Sequence, residues 1–366
     1  MVVLPEPLAS VERTPLLFDQ PSPLHPLPSL TRHVHATMNT SGQFSLWAKR
    51  EDCSSGLGLG GNKIRKLEYV VPSALAGGCD TLVSTGGTQS NHMRQVAAVG
   101  NHLGLKTVLV PQSHASASSA PSSSSSSAGQ PGAFDTAGNV QVNGILGAEY
   151  AEPNTSLEDV AAAIKEKGGE PYIIASGASA HLHGGLGFAR WAFEVVEQEA
   201  ALGVFFDTIV VPVASGGTIG GMIAGFKLAD RLGAESNSDS VQRGSRAIIG
   251  IDTYNKPPGV LEATILEIAQ RTARLIGLGE DAVQPHDVVL DTRYNAGTHT
   301  AWSENTARGV KLLGTKEGIL ADPIYSGRAM GAILNMAELG ELDEKHHVMF
   351  VHTGGLAALG AFPEMR

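Results

Sequence analysis

A lysine amine attacks a carbonyl only after losing its proton, and burial or neighbouring cations make that loss easier. Lys63 stands in "GLGLGGNKIRKLEYV" (56–70), with Gly58, Gly60 and Gly61 ahead of it and Arg65 and Lys66 just behind. The two cations are expected to press the amine's pKa down, and the glycines to leave the backbone open to a flat ligand. The same stretch also reads as an exposed lysine at a helix start. In "VASGGTIGGM" (213–222) an apolar strand ends in Ser215, Gly216, Gly217 and Thr218, and a helix begins. Backbone N–H groups, two hydroxyls and the helix dipole then converge on one spot, which suits a phosphate. No GKS or GKT follows and the GxGxxG spacing is missing, so this is neither a Walker loop nor a dinucleotide turn. A packing turn between strand and helix is an equal reading. In "STGGTQSNHMRQ" (84–95), Gln89, Ser90, Asn91 and His92 open a helix and offer donors to a carboxylate. Alternatively, Ser90 or Asn91 is an N-cap and nothing more.

Something must bring these segments together. "FSLWAKRED", "DTLVST" and "KTVLVPQ" read as strands, separated by the helical stretches "IRKLEYVVPSALAGG" and "QSNHMRQVAAVGNHLG". Strands alternating with helix-length crossovers indicate a parallel sheet covered on both faces. The alternation resumes at "NVQVNGILGAEY" and continues through the strands "PYIIASG", "DTIVVPVAS", "AIIGIDT" and "VMFVHTGG". Two α/β lobes with a cleft between them fit this order. Residues 1–43 are proline-rich and read as irregular. The low-complexity run 113–134 lacks the apolar surface to offset its ordering entropy and reads as a flexible surface loop.

Composition narrows the function. A net charge of −10 argues against a nucleic-acid surface or docking on anionic lipid. No apolar run nears the roughly 20 residues that cross a bilayer. No basic amino-terminal stretch precedes an apolar block, so no signal or transit peptide is expected. Two cysteines, Cys53 and Cys79, are too few for a disulfide framework or a structural zinc site, and both read as packing residues in a cytoplasmic protein. His181 and His183 lack an evident third ligand, so no metal is expected.

Together and in this order, the three segments resemble the fold-type II enzymes of pyridoxal phosphate. More closely, the chain is similar to the family of 1-aminocyclopropane-1-carboxylate (ACC) deaminase and D-cysteine desulfhydrase. The resemblance runs from "AKREDCSSGLGLGGNKIRKLEY" through "DTLVSTGGTQSNHMRQVAA", "GGLGFARWAFEV" and "LADPIYSGRAMGAI" to "FVHTGGLAALGAF". It implies a tryptophan synthase beta-like α/β fold of two domains, each an open, mostly parallel, twisted sheet flanked by helices. Residues 1–65 and 179–366 would form the large cofactor-binding domain, and 66–178 the small one. By the same resemblance Lys63 is the lysine that joins the cofactor aldehyde, and Asn62 hydrogen-bonds the ring oxygen. Ser215, Gly216, Gly217 and Thr218 hold the phosphate. Ser90 and Asn91 hold the substrate carboxylate, with Ser90 also serving in proton transfer, and Gln89 and His92 belong to the same substrate turn. Tyr325 is an active-site tyrosine. The implied reaction turns a small amino acid into a 2-oxo acid and ammonia, in a homodimer or larger homo-oligomer.

Within that family the pattern divides. After the tyrosine, ACC deaminases carry glutamate and this chain carries Ser326; in the late "HLGG" segment they carry leucine and this chain has Thr353. Both changes follow the desulfhydrase branch, as does His92, whereas "KREDCSSGL" and "HGGLGF" follow the deaminases. The second active-site tyrosine of ACC deaminases aligns with His299, which is either an acid or base near neutrality or a loop residue. Tyr294 is the substitute if the loop shifts register. D-cysteine desulfhydrase-type elimination is therefore expected, with ACC deaminase as the alternative. An inactive cofactor-binding homologue comes next, and a nicotinamide dehydrogenase is disfavoured by the missing dinucleotide spacing.

Overall fold

A computed structural model describes residues 2–38, 44–112, 132–235, 245–343 and 345–365. Among the described residues ten strands form two sheets: β1 Leu24–Pro26, β2 Ser45–Arg50, β3 Thr81–Gly87, β4 Lys106–Gln112, β5 Glu149–Tyr150, β6 Pro171–Ile174, β7 Thr208–Val213, β8 Ala247–Asp252, β9 Val289–Asp291 and β10 His347–His352. The six-stranded sheet runs β1-β2-β10-β7-β8-β9 and the four-stranded sheet β5-β4-β3-β6. Every pairing is parallel except the β1 edge, which runs antiparallel to β2. All six residues of β7 are buried, which explains why it reads as a continuous apolar run rather than an alternating one.

Helices cover both sheets. Leu186–Leu202 and Gly217–Glu235 pack on the large sheet around Phe188, Trp191, Met222 and Phe226. Gly225 lets their backbones approach, for a Cβ there would lie 2.6 Å from the Ala189 carbonyl. The helix Asn62–Ala76 runs unbroken through residues 65 and 66. Among the described residues no helix is long and apolar enough to cross a membrane.

Three expectations need correction. The stretch 1–43 is not irregular throughout: it supplies β1 and the helix Pro28–Thr37. Pro28 sits in the first turn, where its missing N–H costs nothing, and Leu30 and Val34 share the buried face. Of the expected loop 113–134, residues 113–131 lie outside the described residues. Phe134 belongs instead to the short helix Ala133–Thr136 and packs edge-on against Phe362 at 5.7 Å. Cys53 is exposed rather than packed, while Cys79 does pack against an apolar cluster.

Candidate active site

The start of the helix Asn62–Ala76 shows why glycine is needed before Lys63. Gly60 and Gly61 adopt φ +63° and +118°. A Cβ on Gly60 would come 2.5 Å from the Asp52 carbonyl, and one on Gly61 would come 2.8 Å from the Gln95 side-chain amide. The glycines therefore turn the chain tightly against protein; they do not clear a path for a ligand, as the sequence had suggested.

The neighbouring cations also act differently from expectation. The Arg65 guanidinium is buried between Glu51 (2.5 Å) and Glu194 (2.9 Å), and Lys49 meets Glu194 at 2.5 Å. Ser22 and Trp191 donate to the same Glu51 carboxylate, completing a buried charge-balanced quartet. Lys66 turns its amine to the Gly177 carbonyl (3.1 Å) and Ser179 Oγ (3.0 Å). Burial away from water is what brings the Lys63 amine down from 10.5 to about 8, with Asn62 Oδ1 accepting from it at 3.3 Å. Lys63 in the cofactor-free protein is accordingly expected to titrate at about 8. Reductive methylation with a carbon-13 label, followed by NMR across pH, reads the midpoint; a value near 10.5 would contradict the assignment.

The second segment forms a polar cradle. Gly216, at φ +83°, delivers the chain from β7 into the helix beginning at Gly217, whose N–H donates to Ser179 Oγ at 3.1 Å. Ser179 and Ser215 hydroxyls meet at 2.8 Å, and Asn62 Nδ2 donates to Thr218 Oγ1 at 3.0 Å. A Cβ on Gly217 would lie 2.8 Å from the Lys66 amine. Lys66 is fully buried and, among the described residues, has no carboxylate partner. A buried ammonium beside a helix start and several hydroxyls calls for an anion. Sequence reasoning missed Ser179 and gave Lys66 the wrong task, although its spacing of three from Lys63 already placed both amines on one helix face.

In the third segment Ser90 does cap the helix Asn91–His102, accepting from Met93 N at 3.2 Å. Asn91 Oδ1 accepts from Arg94 (3.0 Å) and from Asn139 (2.9 Å), which turns its Nδ2 away as a donor. Ser84 gives its one hydroxyl proton to Ile174 O at 2.8 Å, so its oxygen receives the Nε2–H of His92 at 3.1 Å. Burial, reinforced by the charges of Lys63 and Lys66, lowers the His92 pKa to about 3, and the ring is neutral. Gln89 builds the wall instead of offering a donor. Its amide is taken up by Phe134 O, Ala137 O and the Asn139 N–H.

The last group follows from a buried carboxylate. Asp322 accepts the N–H groups of Ile324 (2.9 Å), Tyr325 (2.8 Å) and Ser326 (3.1 Å), fixing the turn before the helix Ser326–Glu338. The Ser326 hydroxyl donates to Gly354 O at 2.8 Å and lies 3.4 Å from Thr353 Oγ1. Tyr325 OH meets His299 Nε2 at 3.0 Å. Tyr294 does not stand in for a second tyrosine: it is buried in the core and donates to Asn335 Oδ1 at 3.0 Å.

One cavity of about 370 Å³ gathers these pieces. Asn62, Lys63, Gln89, Ser90, Asn91, His92, Ser215, Gly216, Thr218, His299, Tyr325 and Thr353 all line it. Gly217 and Ser326 do not; both are buried one layer behind. An amine of lowered pKa, a cradle of hydroxyls backed by the buried Lys66 amine, and Asn91 at a helix start, with all but Lys66 on one cavity, fit a planar aldehyde with a phosphate tail.

The chain matches the model of the pyridoxal-phosphate dependent enzymes over residues 16–354. It is 41% identical over 363 residues to the 1-aminocyclopropane-1-carboxylate deaminase of Pseudomonas syringae pv. syringae (strain B728a), covering 97% of each chain. Against the enzyme of that name from Burkholderia cenocepacia it is 42% identical over 358 residues, 96% of each. Among solved structures, an ACC deaminase homologue superposes with a TM-score of 0.77 at 27% identity, over 98% of this chain and 96% of that one. A hydrogen sulfide-producing enzyme from Fusobacterium nucleatum shares the fold, with a TM-score of 0.56 at 12% identity over 97% and 99% of the two chains. The protein thus belongs to the pyridoxal-phosphate dependent enzymes, as a lyase or deaminase of the ACC deaminase-like family with pyridoxal phosphate as its cofactor.

Proposed function

We propose that the chain is a D-cysteine desulfhydrase, releasing pyruvate, hydrogen sulfide and ammonia. The observation that carries this reading is the hydroxyl pair Ser326–Thr353, 3.4 Å apart, where ACC deaminases have glutamate and leucine. When bound, pyridoxal phosphate supplies an electron sink for a carbanion at the substrate Cα. A carboxylate behind the wall would strengthen that sink through the ring nitrogen, whereas hydroxyls support it weakly. A weak sink suffices to expel a thiolate and suits the breaking of a ring C–C bond less well.

The other residues take parts that follow from their positions. Ser179, Ser215, Gly216 and Thr218 hold the phosphate, with the Lys66 amine and Gly217 behind them. Asn62 ties Lys63 to Thr218. Asn91 Nδ2 and the helix start at Ser90 bind the substrate carboxylate, with His92 closing that side as a neutral ring. Lys63, its amine poised near neutrality, takes and returns the Cα proton. The same reading includes a large cofactor-holding domain and a small one, a cytoplasmic location and a homo-oligomer.

A product assay on cofactor-loaded protein tests it. The kcat/KM for hydrogen sulfide from D-cysteine is expected to exceed that for 2-oxobutanoate from ACC by about tenfold or more, a difference of roughly 1.4 kcal/mol. The reverse ranking would establish the second reading, ACC deaminase, which the 41–42% identity to enzymes of that name favours. The double variant S326E/T353L is expected to shift the ratio toward ACC.

A further inference from the structure

His299 is held in one tautomer by its surroundings. Its Nδ1 lies 2.8 Å from the Thr253 carbonyl, which can only accept, so Nδ1 carries the proton. In the neutral ring Nε2 is then a bare lone pair, and it faces Tyr325 OH at 3.0 Å. The Tyr325 hydroxyl must therefore donate to His299. That leaves the tyrosine oxygen's lone pairs as what Tyr325 presents to the cavity.

The loop that carries His299 is fixed with unusual thoroughness. Arg328, buried in the helix Ser326–Glu338, donates to Thr253 O (3.0 Å), Asn295 O (2.8 Å), Thr298 O (2.9 Å), His299 O (2.9 Å) and Ala301 O. One planar fork thus anchors both the carbonyl that sets the tautomer and the backbone of the histidine. Tyr254 packs against the imidazole face, with ring centroids 4.8 Å apart. A loop histidine without a task needs none of this. Burial and the charge of Asp322 raise the Tyr325 pKa, so a lone phenolate is disfavoured and its proton needs a nearby acceptor.

We propose that His299 and Tyr325 act as one proton relay: Tyr325 takes a proton from the bound amino acid while passing its own to His299 Nε2. The proposal deepens the reading above, since it takes the substrate to be a small amino acid. An ammonium N–H of the substrate breaks and a Tyr325 O–H forms; the original O–H breaks as an Nε2–H forms. The amine is left neutral, as it must be to attack an aldehyde, and the positive charge moves to the imidazole. In reverse, the imidazolium returns its proton through Tyr325 to the departing sulfur as the Cβ–S bond breaks, and His299 is neutral again. No proton is gained or lost overall. His299 is thereby a positioning residue and proton store acting through Tyr325, which touches the substrate.

Two measurements decide the matter. Nitrogen-15 histidine NMR on the cofactor-free protein reads the tautomer independently of turnover. The expected result is protonated Nδ1 and unprotonated Nε2, with the Nε2 signal moving in Tyr325→Phe; a protonated Nε2 in the native protein overturns the relay. Kinetics then use His299→Gln, whose amide can still accept from Tyr325 and donate to Thr253 but cannot hold a proton. It is expected to lower kcat about 100-fold with KM changed less than about threefold, as for loss of an acid–base group. Tyr325→Phe combined with His299→Gln is expected to add little beyond either alone. A His299→Gln enzyme within about threefold of native kcat overturns the relay and leaves only a structural hydrogen bond. If native protein releases ammonia from no small amino acid, the proposed function fails, and the tautomer alone upholds or overturns the Tyr325–His299 pairing.

Discussion

Lys63→Ala is expected to lower turnover of every amino-acid substrate by about 10⁴-fold, the upper end of what one positioned acid–base group contributes. It is also expected to abolish the visible absorption band of the cofactor-loaded protein. Two losses coincide in this variant, because the same amine would anchor the cofactor and shuttle the substrate proton. Lys66 cannot replace it, since its amine is already donated to Gly177 O and Ser179 Oγ. Absorbance and single-turnover product release, measured on the same preparation, check both effects. Activity within tenfold of native would remove Lys63 from the centre of the chemistry.

Glu194→Gln is expected to be the most destabilising single change near the site. Glu194 accepts from Lys49, Arg65 and the Ser22 backbone N–H in a place that water does not reach. Removing its charge leaves two cations facing Glu51 alone. Breaking a buried ion pair on one side costs about 3–5 kcal/mol, a large part of the roughly 5–15 kcal/mol that holds a domain together. Urea unfolding reads this as a lower midpoint at unchanged slope; a midpoint equal to native would show that the quartet adds nothing. The pH dependence has a fixed sign. Burial pushes the Glu194 carboxyl up, but the charges of Arg65 and Lys49 outweigh it and hold the pKa at about 2, below the ordinary 4.5. A depressed folded-state pKa means stability that is fully present above 4.5 and drains away as pH falls toward 2. Because Arg65 sits two residues after Lys63 on the same helix, loosening the quartet is also expected to loosen the reactive amine.

Much of this was written locally in the chain. β3, β4, β7, β8 and β10 stand out as apolar runs bounded by turn residues, since sheets covered on both faces need no polar alternation. The "GGNK", "SGGT" and "QSN" segments were each ambiguous alone, and they became informative through their joint order. What stayed hidden has physical causes. The helix Pro28–Thr37 lies in a proline-rich stretch whose prolines mark its start and not its absence. The two neighbours of Lys63 were misjudged because charge in a sequence does not show direction: Arg65 points into the quartet, and Lys66 toward the Gly177 carbonyl and the Ser179 hydroxyl. The task of His299 depends on Thr253, 46 residues away, and Arg328 reaches the Thr253 carbonyl across 75 residues. No short-range pattern encodes such contacts.

On the proposed reading, the donors for the substrate carboxylate open the helix that follows β3 of the smaller sheet, whereas Ser326 opens a separate helix and Thr353 follows β10, an interior strand of the larger sheet. Recognition of what all amino acids share and discrimination among them would then be carried by separate parts of the chain. On that reading, exchange of these two residues alone would retune the nitrogen source, with every partner of the common headgroup left in place.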